Sequence, residues 1–384
     1  MKTFRAAVVG TGFIGPVHVE GLRRAGVQVA AIVGSTPAKS HAAAERQGIE
    51  SRHASLEDVL ADNSIDAVHL ATPNRFHFTQ ARSVLLAGKH VLCEKPLAMN
   101  SHESAELTRL AADCRLAAAV AYNIRFYPLC QEAADRVQTG RLGDLLHVTG
   151  SYVQDWLLYD TDFNWRVLAE DGGRLRSVAD IGTHWLDLVQ FITGRRVVSV
   201  CADLQTVHAR RQRPGGGAET FSKSEVPCQA VAVDIATDDA GCVMLRFDSG
   251  AQGCLWVSQT TAGRKNCLRY EIAGSLQSFA WNSESPNELW IGHRDCPNES
   301  LIRDPALLGA LAAGIANYPG GHNEGFPDTF KQLFRSFYGY IAAGDFSAPP
   351  RFPTFADGHR EIMLCEAILK SHQTRSWIKI EEIK

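Results

Sequence analysis

The sequence has no C-x-x-C pair, although ten cysteines occur among its 384 residues. Cys93, Cys201, Cys242, Cys254 and Cys365 sit in apolar segments instead. That usage lacks the ligand spacing of zinc sites, so no metal is expected. It points to reduced thiols in a cytoplasmic protein rather than a disulfide framework. No apolar run reaches the ~20 residues a membrane helix needs. The longest, Ala306 to Ala316, is broken by glycines, so no membrane partner is expected. A signal peptide is not expected either: residues 1–9 are apolar, but Gly10, Gly12 and Gly15 follow without a small-residue cleavage site. There is no excess of either charge. Lys and Arg number 39 against 42 Asp and Glu, a net −3, which argues against nucleic-acid binding through bulk positive charge. Internal repeats and low-complexity tracts are absent.

Hydrophobic residues make up 45% and charged residues 21%, the balance of a globular protein. At roughly 150 residues per domain the length suggests two domains. Residues 1–122 alternate short apolar runs (4–9, 29–33, 67–71, 90–93 and 117–121) with helical patterns such as 77–87 and 101–114. Continuous apolar strands separated by helices predict an α/β, Rossmann-type doubly wound parallel sheet. After residue 123 the pattern changes. A helix is expected over 127–139, then strands at 145–155, 197–207, 229–237, 241–247, 252–259, 267–273 and 277–281. This predicts an α+β second domain, residues 123–384, built on a large, mainly antiparallel sheet. Asp239-Ala240-Gly241 and Asp248-Ser249-Gly250 read as hairpin turns, Arg210 to Pro227 as an exposed loop, and 180–193, 326–343 and 355–371 as helices.

Gly10-Thr11-Gly12-Phe13-Ile14-Gly15 follows the first strand and opens a helix. In that βαβ setting the glycines let backbone N–H groups approach a pyrophosphate. An acid at the tip of the second strand would bind the ribose 2′-OH of NAD. The tip here has no carboxylate but carries Ser35, Thr36 and Lys39. Hydroxyls and an ammonium lean toward the 2′-phosphate of NADP; if these residues only make a turn, the choice between NAD and NADP stays open.

Cys93-Glu94-Lys95-Pro96 ends the fourth parallel strand, at the sheet edge where ligands bind. A lysine there can stabilise negative charge on a substrate oxygen, or it can be a surface lysine. Asp180 and His184 have the i, i+4 spacing of one helix face, continued by Asp187. A carboxylate beside a histidine suits a general base, but the same pair also arises from a capping Asp and a packed His.

Taken together, Gly10–Gly15, Thr72-Pro73-Asn74 with His77, Glu94-Lys95-Pro96, and Gly172-Gly173 leading to Asp180 and His184 closely resemble the glucose–fructose oxidoreductase/inositol dehydrogenase/rhizopine catabolism (Gfo/Idh/MocA) family. The resemblance covers essentially the whole chain. It implies an N-terminal Rossmann domain, a C-terminal sheet whose outer face supports a homodimer or homotetramer, and an active site over the nicotinamide. By that resemblance Lys95, Asp180 and His184 are catalytic, and the Lys95–Pro96 peptide is expected to be cis. Cofactor contacts are implied for Gly10, Gly12, Phe13, Ile14, Gly15, Thr72, Pro73, Asn74, His77, Glu94 and Lys95. Trp165-Arg166 resembles a further cofactor element, and Asn123-Ile124-Arg125-Phe126 a segment joining the domains.

Tyr152-Val153-Gln154-Asp155-Trp156 is similar to an element of levoglucosan-dehydrogenase-like members. Aromatic rings beside amide and carboxylate groups suit a sugar, although the rings can equally be core. Expected substrate contacts are thus Lys95, Arg125, Tyr152, Gln154, Asp155, Trp156, Asp180 and His184. His322 joins them if its glycine-rich loop is not simply a capped turn. The implied reaction is NAD(P)-dependent hydride transfer between nicotinamide and a secondary alcohol or ketone of a sugar, anhydrosugar or cyclitol. A glycosidase that oxidises its substrate transiently would keep the same residues. A non-catalytic NAD(P) sensor would have no need of Lys95, Asp180 and His184 together.

Overall fold

The computed structural model describes residues 3–215 and 230–383. The chain divides into two compact units, residues 1–123 with 327–362, and residues 124–326 with 363–384.

The first unit is a five-stranded parallel sheet in the order β2-β1-β3-β4-β5. Its strands are β1 Arg5–Val9, β2 Gln28–Val33, β3 Ala67–Leu70, β4 His90–Cys93 and β5 Ala118–Val120. Every residue of β3 is buried, as a sheet covered on both faces requires. The crossover helices are α1 Ile14–Arg24, α2 Pro37–Gln47, α3 Leu56–Ala61, α4 His77–Leu86 and α5 Ser101–Cys114. Local chemistry sets their ends. Ser55 and Asp58 form a reciprocal capping box, Asn100 caps α5, and Gly48 closes α2 in the left-handed conformation.

Residues 327–362 were expected in the second domain, yet they pack with the first unit. Two interactions explain this. Thr354 bridges to Ala119 of β5, and the amide of Val120 donates to the carbonyl of Pro353 at 2.9 Å. Phe334 lies against Gly21 of α1, where a Cβ would meet its ring at 2.7 Å. Hydrophobic periodicity marks such a helix as amphipathic but does not say which core receives it.

The second unit holds a nine-stranded mixed sheet, mostly antiparallel, in the order β15-β14-β13-β12-β6-β11-β10-β7-β16. Its strands are β6 Leu145–Val153, β7 Val197–Gln205, β10 Ala240–Phe247, β11 Gln252–Ser258, β12 Cys267–Gly274, β13 Ser278–Asn282, β14 Glu288–Gly292, β15 Glu299–Ile302 and β16 Ile378–Lys379. One pair, β6 with β11, is parallel. A separate ribbon joins β8 Arg210–Arg213 to β9 Val231–Asp234. All seven expected strands are present; β8, β14, β15 and β16 were not foreseen. One sheet face packs on α6 Pro128–Gln138 and on the helix Thr183–Thr193, forming a core around Trp185, Leu186, Leu255 and Ile272.

Two local expectations fail here. Asp239-Ala240-Gly241 is not a hairpin turn: Ala240 begins β10 and pairs with both Gln205 and Ser258. The acid at its head is drawn inward by buried arginines. Nor is the segment from Arg210 an exposed loop throughout. Arg211 is fully buried and donates to the carbonyls of Tyr159, Asp162 and Leu157 and to Asp239. The rest of that expected loop, from residue 216 onward, lies outside the described residues.

Candidate active site

In the first unit the chain leaves β1 through the glycine loop. Gly10 has φ +123°, and a Cβ there would lie 2.2 Å from the Ala71 carbonyl oxygen. A Cβ on Gly15 would lie 2.1 Å from the Gly10 carbonyl oxygen, whereas one on Gly12 would meet nothing within 4 Å. The loop is therefore closed on its protein side and open at Gly12. That is the cradle a pyrophosphate needs, and it fits a dinucleotide. Ile14 opens α1, and Phe13 is 53% exposed beside it.

At the tip of β2, the Thr36 hydroxyl caps α2 by accepting from the Lys39 amide at 3.3 Å. Ser35 and Lys39 are both exposed, and the Lys39 ammonium donates to the Ser35 hydroxyl at 3.3 Å. Ser35 and Lys39 thus form a small cationic corner, while Thr36 shapes the turn.

After β3, Thr72 and Pro73 lead into a short 3₁₀ turn, Asn74–Phe76. The Thr72 hydroxyl donates to Gln80 at 2.6 Å. His77 is fully buried. Its Nδ1 faces the Pro96 carbonyl at 2.7 Å and its Nε2 the Thr72 carbonyl at 2.8 Å. Burial lowers the pKa of the ring while the two carbonyls pull the other way. Both nitrogens are engaged by backbone, so His77 ties the Thr72 loop to the Glu94-Lys95-Pro96 loop.

The Lys95–Pro96 peptide is cis, as the family resemblance implies. Glu94 is buried, and its side chain accepts from the Lys95 amide at 3.2 Å and contacts His18 Nε2 at 3.2 Å. His18 Nδ1 meets His69 Nδ1 at 3.1 Å, and His69 Nε2 meets the Tyr338 hydroxyl at 3.0 Å. A buried chain Glu94–His18–His69–Tyr338 therefore anchors the residue preceding the lysine. Burial, with His18 nearby, holds His69 well below the ordinary histidine range. Asn123 donates to the Thr329 hydroxyl at 2.7 Å.

In the second unit, Asp180 and His184 were expected on one α-helix. Asp180 instead lies in a single π-turn, Val178–Gly182, and His184 in the first turn of the α-helix that follows. Such turns recur at functional sites because they re-aim side chains. Asp238 secures the turn. Its carboxylate accepts from the amides of Arg176 at 2.6 Å and Val178 at 3.0 Å, and from the Ser177 hydroxyl. Asp180 Oδ2 accepts from Gln259 Nε2 at 2.7 Å, and Oδ1 lies 3.4 Å from Arg166 Nε. Arg166 stacks over Trp165 at 4.4 Å. A Cβ on Gly172 would lie 2.8 Å from the Arg166 carbonyl oxygen, which explains a glycine there.

The Tyr152 ring centre lies 6.2 Å from that of His184. The Tyr152 hydroxyl donates to Asn266 Oδ1 at 2.7 Å, and burial raises its pKa. Gln154 donates to the same Oδ1 at 2.8 Å and accepts from Trp156 Nε1 at 2.7 Å. Asp155 Oδ2 accepts from Lys265 Nζ at 2.6 Å and from the Gly263 amide at 3.2 Å. Arg125 is committed to a fork on Asp187, with Nε to Oδ2 at 2.7 Å and a second bond from Nη2 to Oδ1. His322 is exposed and faces the Gly320 carbonyl at 3.4 Å. The second unit thus gathers Tyr152, Trp165, Arg166, Asp180 and His184. Gln154, Asp155 and Arg125 have polar partners within the unit, and His322 is joined to none of the gathered residues by these bonds. Gln259, Asn266, Asp238 and Arg176 were not foreseen. Only contacts across 60–114 residues reveal them.

A glycine-loop parallel sheet with a second, sheet-based unit defines a nucleotide-dependent oxidoreductase class. Residues 4–122 match the model for an oxidoreductase family with an NAD-binding Rossmann fold, and residues 130–280 match the GFO/IDH/MocA C-terminal domain. The chain belongs to the GFO/IDH/MocA family. It is 28% identical to levoglucosan dehydrogenase of Pseudarthrobacter phenanthrenivorans, with all of both chains covered. It is 27% identical to inositol 2-dehydrogenase of Rhizobium meliloti, over 76% of this chain and 80% of that protein. A solved levoglucosan dehydrogenase in complex with NADH and L-sorbose matches at 26% identity and a TM-score of 0.88, over 99% of each chain.

Proposed function

We propose that this protein interconverts a secondary alcohol and a ketone on a sugar, anhydrosugar or cyclitol. The observation that carries the proposal is the setting of Asp180. Its carboxylate is held by Gln259 and Arg166 on a π-turn, one turn before His184, in a chain whose first unit carries the glycine loop and Glu94-Lys95-Pro96. The relatives named above support a sugar or cyclitol substrate.

In this reading the imidazole of His184 takes the hydroxyl proton. The Lys95 ammonium hydrogen-bonds the same oxygen and favours its developing negative charge. Asp180 orients His184 and favours its protonated form. Tyr152 and Trp156 offer apolar faces to the sugar C–H surface. The dinucleotide is held by the backbone of Gly10–Gly15, by the Thr72-Pro73-Asn74 loop, and by Glu94, Asn123 and Trp165. Bound nicotinamide supplies the hydride acceptor. Ser35 and Lys39 favour NADP over NAD, since no carboxylate stands at the β2 tip to repel a 2′-phosphate.

The outer face of the large sheet exposes Met244 and Trp256, at 46% and 45%. Two apolar side chains on a broad sheet suit a homodimer or homotetramer, which light scattering would read directly. The free thiols of the nine described cysteines suit a cytoplasmic location. The function is tested by absorbance at 340 nm with a panel of sugars, anhydrosugars and inositols, using NAD and NADP in parallel. Reduction with at least one such alcohol is expected. Hydrolysis of a nitrophenyl glycoside without net reduction would replace this reading with that of a redox-assisted glycosidase.

A further inference from the structure

We propose that Gln259 is a positioning residue for Asp180, its amide locked by Arg176 so that only its NH₂ group can face the carboxylate. This rests on the catalytic role proposed above for Asp180. Gln259 is fully buried. Its Oε1 accepts from Arg176 Nη1 at 3.0 Å and its Nε2 donates to Asp180 Oδ2 at 2.7 Å. A guanidinium has donors only and an ionised carboxylate has acceptors only, so the orientation of the amide between them is forced. The backbone is pinned too: the Gln259 amide donates to the Asp239 carbonyl at 2.9 Å, and the Gln259 carbonyl accepts from Leu157 at 3.2 Å.

Arg176 is itself fixed. Its Nη2 bonds Asp239 Oδ1, which also accepts from Arg211 Nη2 at 2.7 Å. Asp239 Oδ2 accepts from the amides of Val207 at 2.7 Å and His208 at 3.0 Å. The carbonyl of Arg176 accepts from the Asp180 amide at 2.7 Å. The connections close a ring: Arg176 holds the backbone of Asp180 directly and its side chain through Gln259. Arg176 and Arg211 share the Asp239 carboxylate, and Asp238 accepts from the Arg176 amide, so the Gln259 side chain is backed by a paired ionic cluster that fixes it in place. The ring fixes one oxygen of Asp180 and leaves the other beside Arg166.

The test measures kcat, alcohol KM and coenzyme Kd for Gln259→Leu, in the wild-type background and in Asp180→Asn. In the wild-type background kcat falls about ten- to a hundredfold, the range outer partners of functional groups carry. Alcohol KM and coenzyme Kd stay within about twofold. In the Asp180→Asn background the same substitution changes kcat little, because the route of its effect is gone. Unchanged kcat in the first background, or equal losses in both, overturns the proposal. If the leucine variant fails to fold, Gln259→Glu keeps the Arg176 contact but opposes a carboxylate to Asp180. Its activity relative to wild type then rises as pH falls and the pair takes up a proton, and a constant ratio overturns the proposal. If the wild-type protein turns over no alcohol, the functional reading falls instead. Coupling between Gln259→Leu and Asp180→Asn in the urea midpoint then decides the contact by itself, and additivity refutes it.

Discussion

The two units hold their proposed catalytic residues by different physics. In the first, Lys95 sits on a loop whose anchors are backbone carbonyls, the His77 ring and a buried chain through His18, His69 and Tyr338. In the second, Asp180 is held by the neutral amide of Gln259, which is backed by the buried ions Arg176, Arg211 and Asp239. The first arrangement depends on histidines, so it is exposed to pH. The second depends on full pairing of ions, so it is exposed to the loss of any one partner.

Breaking the ionic side gives the largest expected effect. Asp239→Ala leaves Arg176 and Arg211 buried without their shared carboxylate, at a cost of about 3–5 kcal/mol in stability. The two arginines and the His208 amide overcome the burial penalty and keep Asp239 below the ordinary carboxylate range. Urea unfolding measures the loss. A change under about 1 kcal/mol would mean that the ion pair is balanced by its own desolvation and that the second unit does not depend on it.

Next in size is the backbone side of the comparison. Gly10→Ala forces a Cβ to within 2.2 Å of the Ala71 carbonyl oxygen at φ +123°. A loss of about 1–3 kcal/mol is expected from the strain alone. Coenzyme affinity, read by quenching of protein fluorescence, should fall with it. Normal coenzyme affinity in a folded Gly10→Ala protein would remove the loop from dinucleotide binding.

The pH effect is smaller. His69 is neutral when folded, with its pKa held well below 6.5 by burial and by His18. The unfolded chain takes up a proton near pH 6.5 that the folded chain refuses. This contribution to stability is complete above pH 6.5 and is lost as pH falls below it, by at most about 1.4 kcal/mol per pH unit. His69→Gln should flatten the fall in urea midpoint between pH 7 and pH 5. An unchanged slope would show that His69 does not carry it.

The smallest effect concerns the coenzyme. Lys39→Ala should weaken NADP binding by up to about tenfold, the scale of one exposed phosphate contact, and leave NAD binding unchanged. Equal effects on both coenzymes would remove Lys39 from that choice.

Legibility in the sequence followed the same division. The glycine loop, Thr72-Pro73, Glu94-Lys95-Pro96 and the parallel strands were readable because each is a local pattern with a local cause. Asp180 and His184 were found by spacing, but the π-turn beneath them was not, since Asp238 secures it from 60 to 62 residues away. Gln154 and Asp155 were singled out as polar groups beside aromatics, and Arg125 by its family-like segment. Their partners within the unit, Asn266, Lys265 and Asp187, are announced by no periodicity. Asp239 read as a turn residue because the sequence does not show that two buried arginines await it.

In the proposed reaction the Lys95 ammonium stabilises charge on the reacting oxygen, and turnover of Lys95→Ala measures that contribution. With an alcohol that the wild-type protein oxidises, kcat should fall by at least about a hundredfold while coenzyme affinity stays nearly unchanged. Wild-type turnover in that variant would show that Lys95 has no part in the reaction.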